Sequence, residues 1–345
     1  MSLRLLVHTI EISQPFCIKG GKRVPFLFKN LMDEISNKFK PKKNSSEKLS
    51  QSYARLGFKK KAANVHFCGT DLTFNKYEDD TVALVSANFC KDTLCPMCAW
   101  RKSLKLFNQV YKCAQYLQPK YDFIFVTLTV KNCKAEALKD TLKLINKSYY
   151  TLTRRKDFKF IKGSFRGTEI TYNSDTNEFH PHIHAIWVVD KLYFKSSNYI
   201  KTEELVKQWG KVLNVDYEPI CHIQKVKQKS KKNKNSLISA VAESAKYCVK
   251  DSDYTSHSNE VNDFVVSALS GALHNTRMYE FYGVFKKVRK MLKLTDVEKS
   301  NLINIEEEEK KVSENVELII IFKYDFETKN YYTYNCYAPP PDGST

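Results

Sequence analysis

FHPHIHAIWVV, residues 179–189, places three histidines at alternate positions and runs directly into an apolar stretch. In a strand, alternate side chains share a face, so His182 and His184 point the same way with Cα atoms about 7 Å apart. Two imidazoles at that spacing can reach one ion. Ile183, Ala185 and Trp187 then face the other side and can enter a core. Upstream, GSFRGTEITYN (163–173) is a second strand-like run, and SDTNEF between the two has hairpin turn chemistry. A turn centred on Asp175 and Thr176 sets residue 169 opposite residue 182, which brings Glu169 onto the histidine face. A one-residue slip would turn it away. Two imidazoles and one carboxylate leave positions open for water or a substrate oxygen, as a catalytic divalent ion requires. The competing reading is polar side chains on a solvated sheet face. His180, which precedes Pro181, is placed as a bystander or an outer neighbour of the site.

Outward from this hairpin, YDFIFVTLTVK (121–131) is rich in β-branched and aromatic residues and reads as a central strand, with CHIQKVK (221–227) as another. Helical spacing is found in RKSLKLFNQVYKCAQYL (101–117), around Ala135 to Arg155, in TEELVKQWGKVL (202–213) and in LISAVAESAKYCV (237–249). Strand-like and helical segments therefore both recur along the chain. In the last of these segments Glu243 and Tyr247 stand four apart, which on a helix puts them on one face. Residues 1–45 show no clear period and end in NKFKPKKNSSEK, which reads as a loosely held arm. ELIIIFKYDF (317–326) is strand-like, and the EEEEKK run before it reads as solvated.

The 345-residue chain is 42% hydrophobic and 13% aromatic, too rich in core-forming residues for a disordered protein. A formal net charge of +18 favours polyanionic partners, nucleic acid first. No run approaches the ~20 apolar residues of a membrane span, and His8 and Glu11 interrupt any secretory core, so a cytoplasmic protein is expected. In that compartment ten cysteines argue against a disulfide framework. Cys95 and Cys98 form CPMC, and with Cys90 and Cys68 they offer four thiolates for a tetrahedral zinc knuckle; His66 could replace Cys68. Buried free thiols are the alternative. KVKQKSKKNKN (225–235) carries Lys225, Lys227, Lys229, Lys231, Lys232 and Lys234, which could contact phosphates, although a solvated loop is the default for such a run.

FIFVTLTV, HPHIHAIWVV and ESAKYCVKDSDY, in this order, resemble the rolling-circle plasmid replication initiators of Gram-positive bacteria, members of the HUH endonuclease superfamily (His, hydrophobic residue, His). NFCKDTLCPMCAWRKSLK extends the similarity, which covers roughly Tyr53 to Leu294. The resemblance implies that His182 and His184 are paired metal ligands, that Tyr247 is the nicking tyrosine and that Glu243 promotes termination. Glu169 as third ligand rests equally on the hairpin register. The implied fold is α+β, an HUH core with a central antiparallel sheet flanked by helices, related to ferredoxin-like and RNA-recognition architectures, with the cysteine-rich knuckle as an extension. The implied organisation is an N-terminal arm (1–52), a cysteine-rich DNA-binding segment and helix (53–118), the nickase domain (119–294) and a C-terminal extension (295–345). The implied activity is metal-dependent nicking of one strand at the plasmid origin, through a 5′-phosphotyrosine, with later strand transfer. Magnesium or manganese is the expected ion. Origin DNA, a host helicase and a DNA polymerase are the expected partners of a monomer or dimer. A relaxase or transposase would use the same chemistry, and a non-enzymatic zinc-dependent DNA-binding regulator is the alternative of another class.

Overall fold

The structure, a computed structural model, describes residues 18–19, 22–23, 26–196, 199–227, 236–303, 305 and 315–339. In chain order the elements are β1 (Ile18–Lys19), β2 (Lys22–Arg23), α1 (Phe26–Arg55), α2 (Lys59–His66), β3 (Asp71–Tyr77), β4 (Val82–Ala87), α3 (Pro96–Leu117), β5 (Tyr121–Thr129), α4 (Ala135–Arg154), β6 (Gly163–Asn173), β7 (Glu178–Asp190), α5 (Thr202–Leu213), β8 (Cys221–Lys225), α6 (Leu237–Ser244), α7 (Ser252–Thr255), α8 (Asn259–Leu273), β9 (Tyr279–Tyr282), α9 (Gly283–Met291), β10 (Val316–Asp325) and β11 (Asn330–Tyr337).

These elements form two compact units. The first gathers the described residues up to Pro41, Gly69–Asn88 and the described residues from 315 onward. Its four-stranded antiparallel sheet has the order β11-β10-β3-β4. One face is apolar, with Leu72, Phe74, Ile320 and Phe322 buried, and Phe39 of α1 packs edge-on against Phe74 and Tyr331. NKFKPKKNSSEK is not a loose arm, because it lies inside α1, where Pro41 interrupts the sequence pattern without ending the helix. Within the second unit the rest of α1 is anchored by buried Leu49 and Tyr53, and by the enclosed Lys43, whose ammonium reaches Glu47 and the carbonyl of His66.

The second unit comprises Lys42–Cys68 and the described residues from Phe89 to 305. Its five-stranded sheet has the order β8-β5-β7-β6-β9 with every neighbour antiparallel. The succession β5-α4-β6-β7-α5-β8 is β-α-β-β-α-β, so the chain is α+β as expected. Alternation along β7 divides the core in two. Ile183, Ala185, Trp187 and Val189 pack with Ile124, Val126 and Leu128 under α4 and α5, through Tyr149, Leu152, Leu205 and Trp209. On the opposite face Phe125, Phe165, Ile186 and Val188 are covered by α3, α6 and α9. Among the described residues no helix is long and apolar enough to cross a membrane.

Candidate active site

The hairpin register pairs Glu169 of β6 with His182 of β7, and β5 places Thr127 opposite His184 and Thr129 opposite His182. Three neighbouring strands therefore present Glu169, His182, His184 and Thr127 on one face. Nε2 of His182 lies 3.5 Å and Nε2 of His184 3.4 Å from the same Glu169 Oε2. Donors about 2.1 Å from a shared ion stand roughly 3.0–3.5 Å from one another, so the three fit one divalent cation. Each ring is oriented through its other nitrogen, because His182 Nδ1 is 3.1 Å from the His180 carbonyl and His184 Nδ1 is 3.1 Å from Thr127 Oγ1. Such partners fix the tautomer and leave Nε2 free for a ligand bond. Phe125 stacks on His184 with centroids 5.6 Å apart. Burial alone would lift the Glu169 carboxyl, but hydrogen bonds with His182 and His184 outweigh it and hold the group well below the usual carboxylate range. His180 turns its Nδ1 to Asn132 Oδ1 at 2.8 Å and stacks on His182.

Glu243 reaches this cluster from α6, its Oε1 3.5 Å from His184 Nε2 and 2.5 Å from Lys246 Nζ. A glycine makes that approach possible. A Cβ built on Gly167 would stand 2.2 Å from the carbonyl oxygen of Ser244, so the end of α6 lies directly on β6. Gly167→Ala is expected to destabilise the protein by about 1–3 kcal/mol through overpacking, read as a lower midpoint in thermal unfolding.

Tyr247 departs from its expected helical position. The helix ends at Ser244, where Ser103 Oγ donates to the Ala245 carbonyl, and the chain then extends alongside β6. Ile170 N donates to the Cys248 carbonyl at 2.7 Å. This arrangement sends Lys250 toward Glu169, with Nζ 3.9 Å from Oε1, while the Tyr247 ring lies beneath Lys102, whose Nζ is 5.8 Å from its centroid. Lys102 in turn pairs with Glu298 at 2.6 Å. Burial pushes the Tyr247 phenol well above its ordinary value. Glu243 and Tyr247 thus share a segment but not a helical face. Thr127, Lys246 and Lys250 are site neighbours that the sequence reading passed over. Thr127 was accessible to it, being two residues from Phe125 in a strand.

The cysteine cluster lies elsewhere in the same unit. Cys68, Cys90, Cys95 and Cys98 bring their sulfurs together, with Sγ separations of 3.5 Å for Cys68–Cys98, 3.7 Å for Cys90–Cys98 and 3.5 Å for Cys68–Cys95. Four thiolates about 2.3 Å from a tetrahedral ion stand roughly 3.8 Å apart. Cys95 caps α3 and Pro96 opens it, so this thiol sits where a helix favours negative charge. Burial opposes ionisation of Cys95, but hydrogen bonds from Cys68, Cys90 and Cys98 outweigh it and hold the thiol well below its ordinary value. Lys91 N and Cys90 N donate to Cys98 Sγ and Cys68 Sγ. His66 is engaged instead by Glu47 Oε2 at 2.7 Å. Among the described residues eight cysteines carry free thiols and Cys336 is disulfide-bonded.

Of the lysine run, Lys225 pairs with Ile124 and so faces away from the histidines, over the Phe194 ring at 4.2 Å and 3.7 Å from Asp122. Lys227 is exposed and bridges to Ser236. Lys229, Lys231, Lys232 and Lys234 lie outside the described residues.

Residues 81–332 match the model of a family described as a replication protein. A protein named Protein rep from Lactiplantibacillus plantarum is 37% identical over 302 residues, covering 85% of this chain and 94% of that relative. A Protein rep from Lentilactobacillus hilgardii is 34% identical, covering 88% of this chain and 99% of its own length. One from Streptococcus pneumoniae serotype 2 is 34% identical, with 84% and 90% covered. No solved structure matches the chain.

Proposed function

We propose, because this chain belongs to the family of plasmid replication initiators, that it starts replication by nicking one strand of origin DNA with HUH-type chemistry. The observation that carries this reading is the convergence of His182 Nε2 and His184 Nε2 on Glu169 Oε2, with Glu243 beside them. The β-α-β-β-α-β succession supports the HUH core. A divalent cation held by Glu169, His182 and His184, magnesium or manganese, would polarise a phosphodiester oxygen when bound. Tyr247 Oη forms a bond to phosphorus as the bond to the 3′-oxygen breaks. The phenol proton goes to solvent and the departing 3′-oxygen takes one up, leaving a 5′-phosphotyrosine and a free 3′-hydroxyl for synthesis. The phosphodiester's energy is kept in the tyrosyl link. Glu243 then deprotonates a water or a second 3′-hydroxyl at termination.

The half-buried phenol faces Lys102 in this structure, so the reading requires residues 245–250, which form no helix, to turn Tyr247 toward the histidines when DNA binds. A nicking assay on supercoiled plasmid carrying the protein's own origin tests it. Conversion to open circles only with added divalent metal is the expected result. Metal-independent DNA binding with no nicking would instead identify a regulator.

The thiol donors favour zinc at the cysteine cluster, where it would brace α3 and the preceding loop. Chelation with 1,10-phenanthroline is expected to lower the melting temperature by roughly 10 °C or more, with zinc restoring it. An unchanged melt would mean that the thiols are simply buried.

A further inference from the structure

The helix α9 carries Lys286, Lys287, Arg289 and Lys290 in nine residues with no acidic residue, and Lys293 follows it. Phe285 and Val288 bury its inner face against the core under α3 and α6. Arg289 is used internally, donating to Gln109 Oε1 at 3.3 Å and to the Thr295 carbonyl at 2.7 Å. The other four lysines are exposed, and none has an ion-pair partner among the described residues.

That pattern is costly for a helix. Lys286 lies in the first turn, the end at which the macrodipole disfavours cations, and it repels Lys290 one turn further on. Elsewhere in the chain Lys38, Lys43 and Lys143 each have a carboxylate three or four residues away, at Glu34, Glu47 and Asp140. Lys286 and Lys290 stand one turn apart on the helix, about 6 Å along its axis at 1.5 Å per residue, and Lys293 follows just past its end. A row of ammonium groups with no ion-pair partner among the described residues matches the phosphates of a nucleic-acid backbone. The exposed residues flanking it are Met291 and Leu292, so the stripe has no aromatic side chains of the kind on which unpaired bases stack.

We propose that Lys286, Lys287, Lys290 and Lys293 form a duplex-DNA anchoring surface, which contacts phosphates without reading sequence and holds the plasmid while the origin strand is nicked. This rests on the replication reading above, but its test does not depend on nicking. Full-length Tyr247→Phe protein, with and without Lys286→Gln, Lys290→Gln and Lys293→Gln together, is titrated with a fluorescein-labelled 30-base-pair duplex of arbitrary sequence and with one of its single strands. The triple variant is expected to bind the duplex on the order of 10–100-fold more weakly near 100 mM salt. The slope of log K against log salt should become shallower by about 3, one for each lost contact. Single-strand affinity should fall less. An unchanged duplex affinity and slope, or an equal loss on the single strand, overturns the assignment. In a parallel titration with vesicles of phosphatidylserine and phosphatidylcholine, a loss seen there and not on the duplex also overturns it. If the triple variant melts early, Lys290→Gln alone should still lower the slope by about 1.

Discussion

Tyr247→Phe is expected to abolish strand scission, by at least about 10³-fold, while leaving DNA binding and the melting temperature near their wild-type values. The change removes one oxygen, the atom that would form the bond to phosphorus. Nothing nearby replaces it. The next tyrosine along, Tyr254, is fully buried and its hydroxyl donates to the Leu94 carbonyl at 2.6 Å, which holds it in the cysteine-bearing part of the unit. Free phenol titrates near 10, and burial pushes Tyr247 higher still, so at neutral pH it is protonated in the resting protein. On the proposed mechanism, cleavage would follow a rearrangement of the segment after α6 that brings Tyr247 out from beside Lys102. Residual nicking by the phenylalanine variant above one part in a hundred would point to a different nucleophile.

His184→Ala carries the second large effect. This imidazole touches three parts of the site, Glu169 at 3.4 Å, Glu243 at 3.5 Å and Thr127 at 3.1 Å. Losing an outer partner of a ligating histidine typically weakens metal affinity by about 10–100-fold, so removing the ligand itself should exceed about 100-fold. Calorimetric titration with manganese measures this directly, and nicking should fall in parallel. The fold should survive, because His184 is only partly buried and belongs to neither apolar cluster of the core. Manganese affinity within a few-fold of wild type would show that Glu169, His182 and His184 do not hold the ion together.

The hairpin was legible because a two-residue period and a polar turn leave few registers, and burial of Ile183, Ala185 and Trp187 selects among them. Glu169 opposite His182 follows once the turn is centred on Asp175 and Thr176. The four clustered cysteines were legible from CPMC and its neighbours, although spacing could not choose between Cys68 and His66. The course of the chain at Tyr247 was hidden. Local propensity in AESAKY favours continuing the helix, but Gly167 admits the Ser244 carbonyl onto β6, and the Ile170–Cys248 hydrogen bond then competes with helical pairing. The second sheet was hidden for another reason. Its strands β3 and β10 pair across more than two hundred residues, with Lys76 meeting Glu317 at 2.5 Å, and a pairing that distant leaves no period in the sequence. In α1, Pro41 and a run of lysines and serines masked a 30-residue helix whose inward residues are spaced among them.

The most direct measurement is to incubate the wild-type protein, manganese and a 5′-labelled origin strand, digest with trypsin, and sequence the nucleotide-bearing peptide by mass spectrometry. The account predicts a 5′-phosphate esterified to Tyr247 and a free 3′-hydroxyl on the other fragment. A cleaved strand with a free 5′-phosphate, or an adduct on any other side chain, would contradict it.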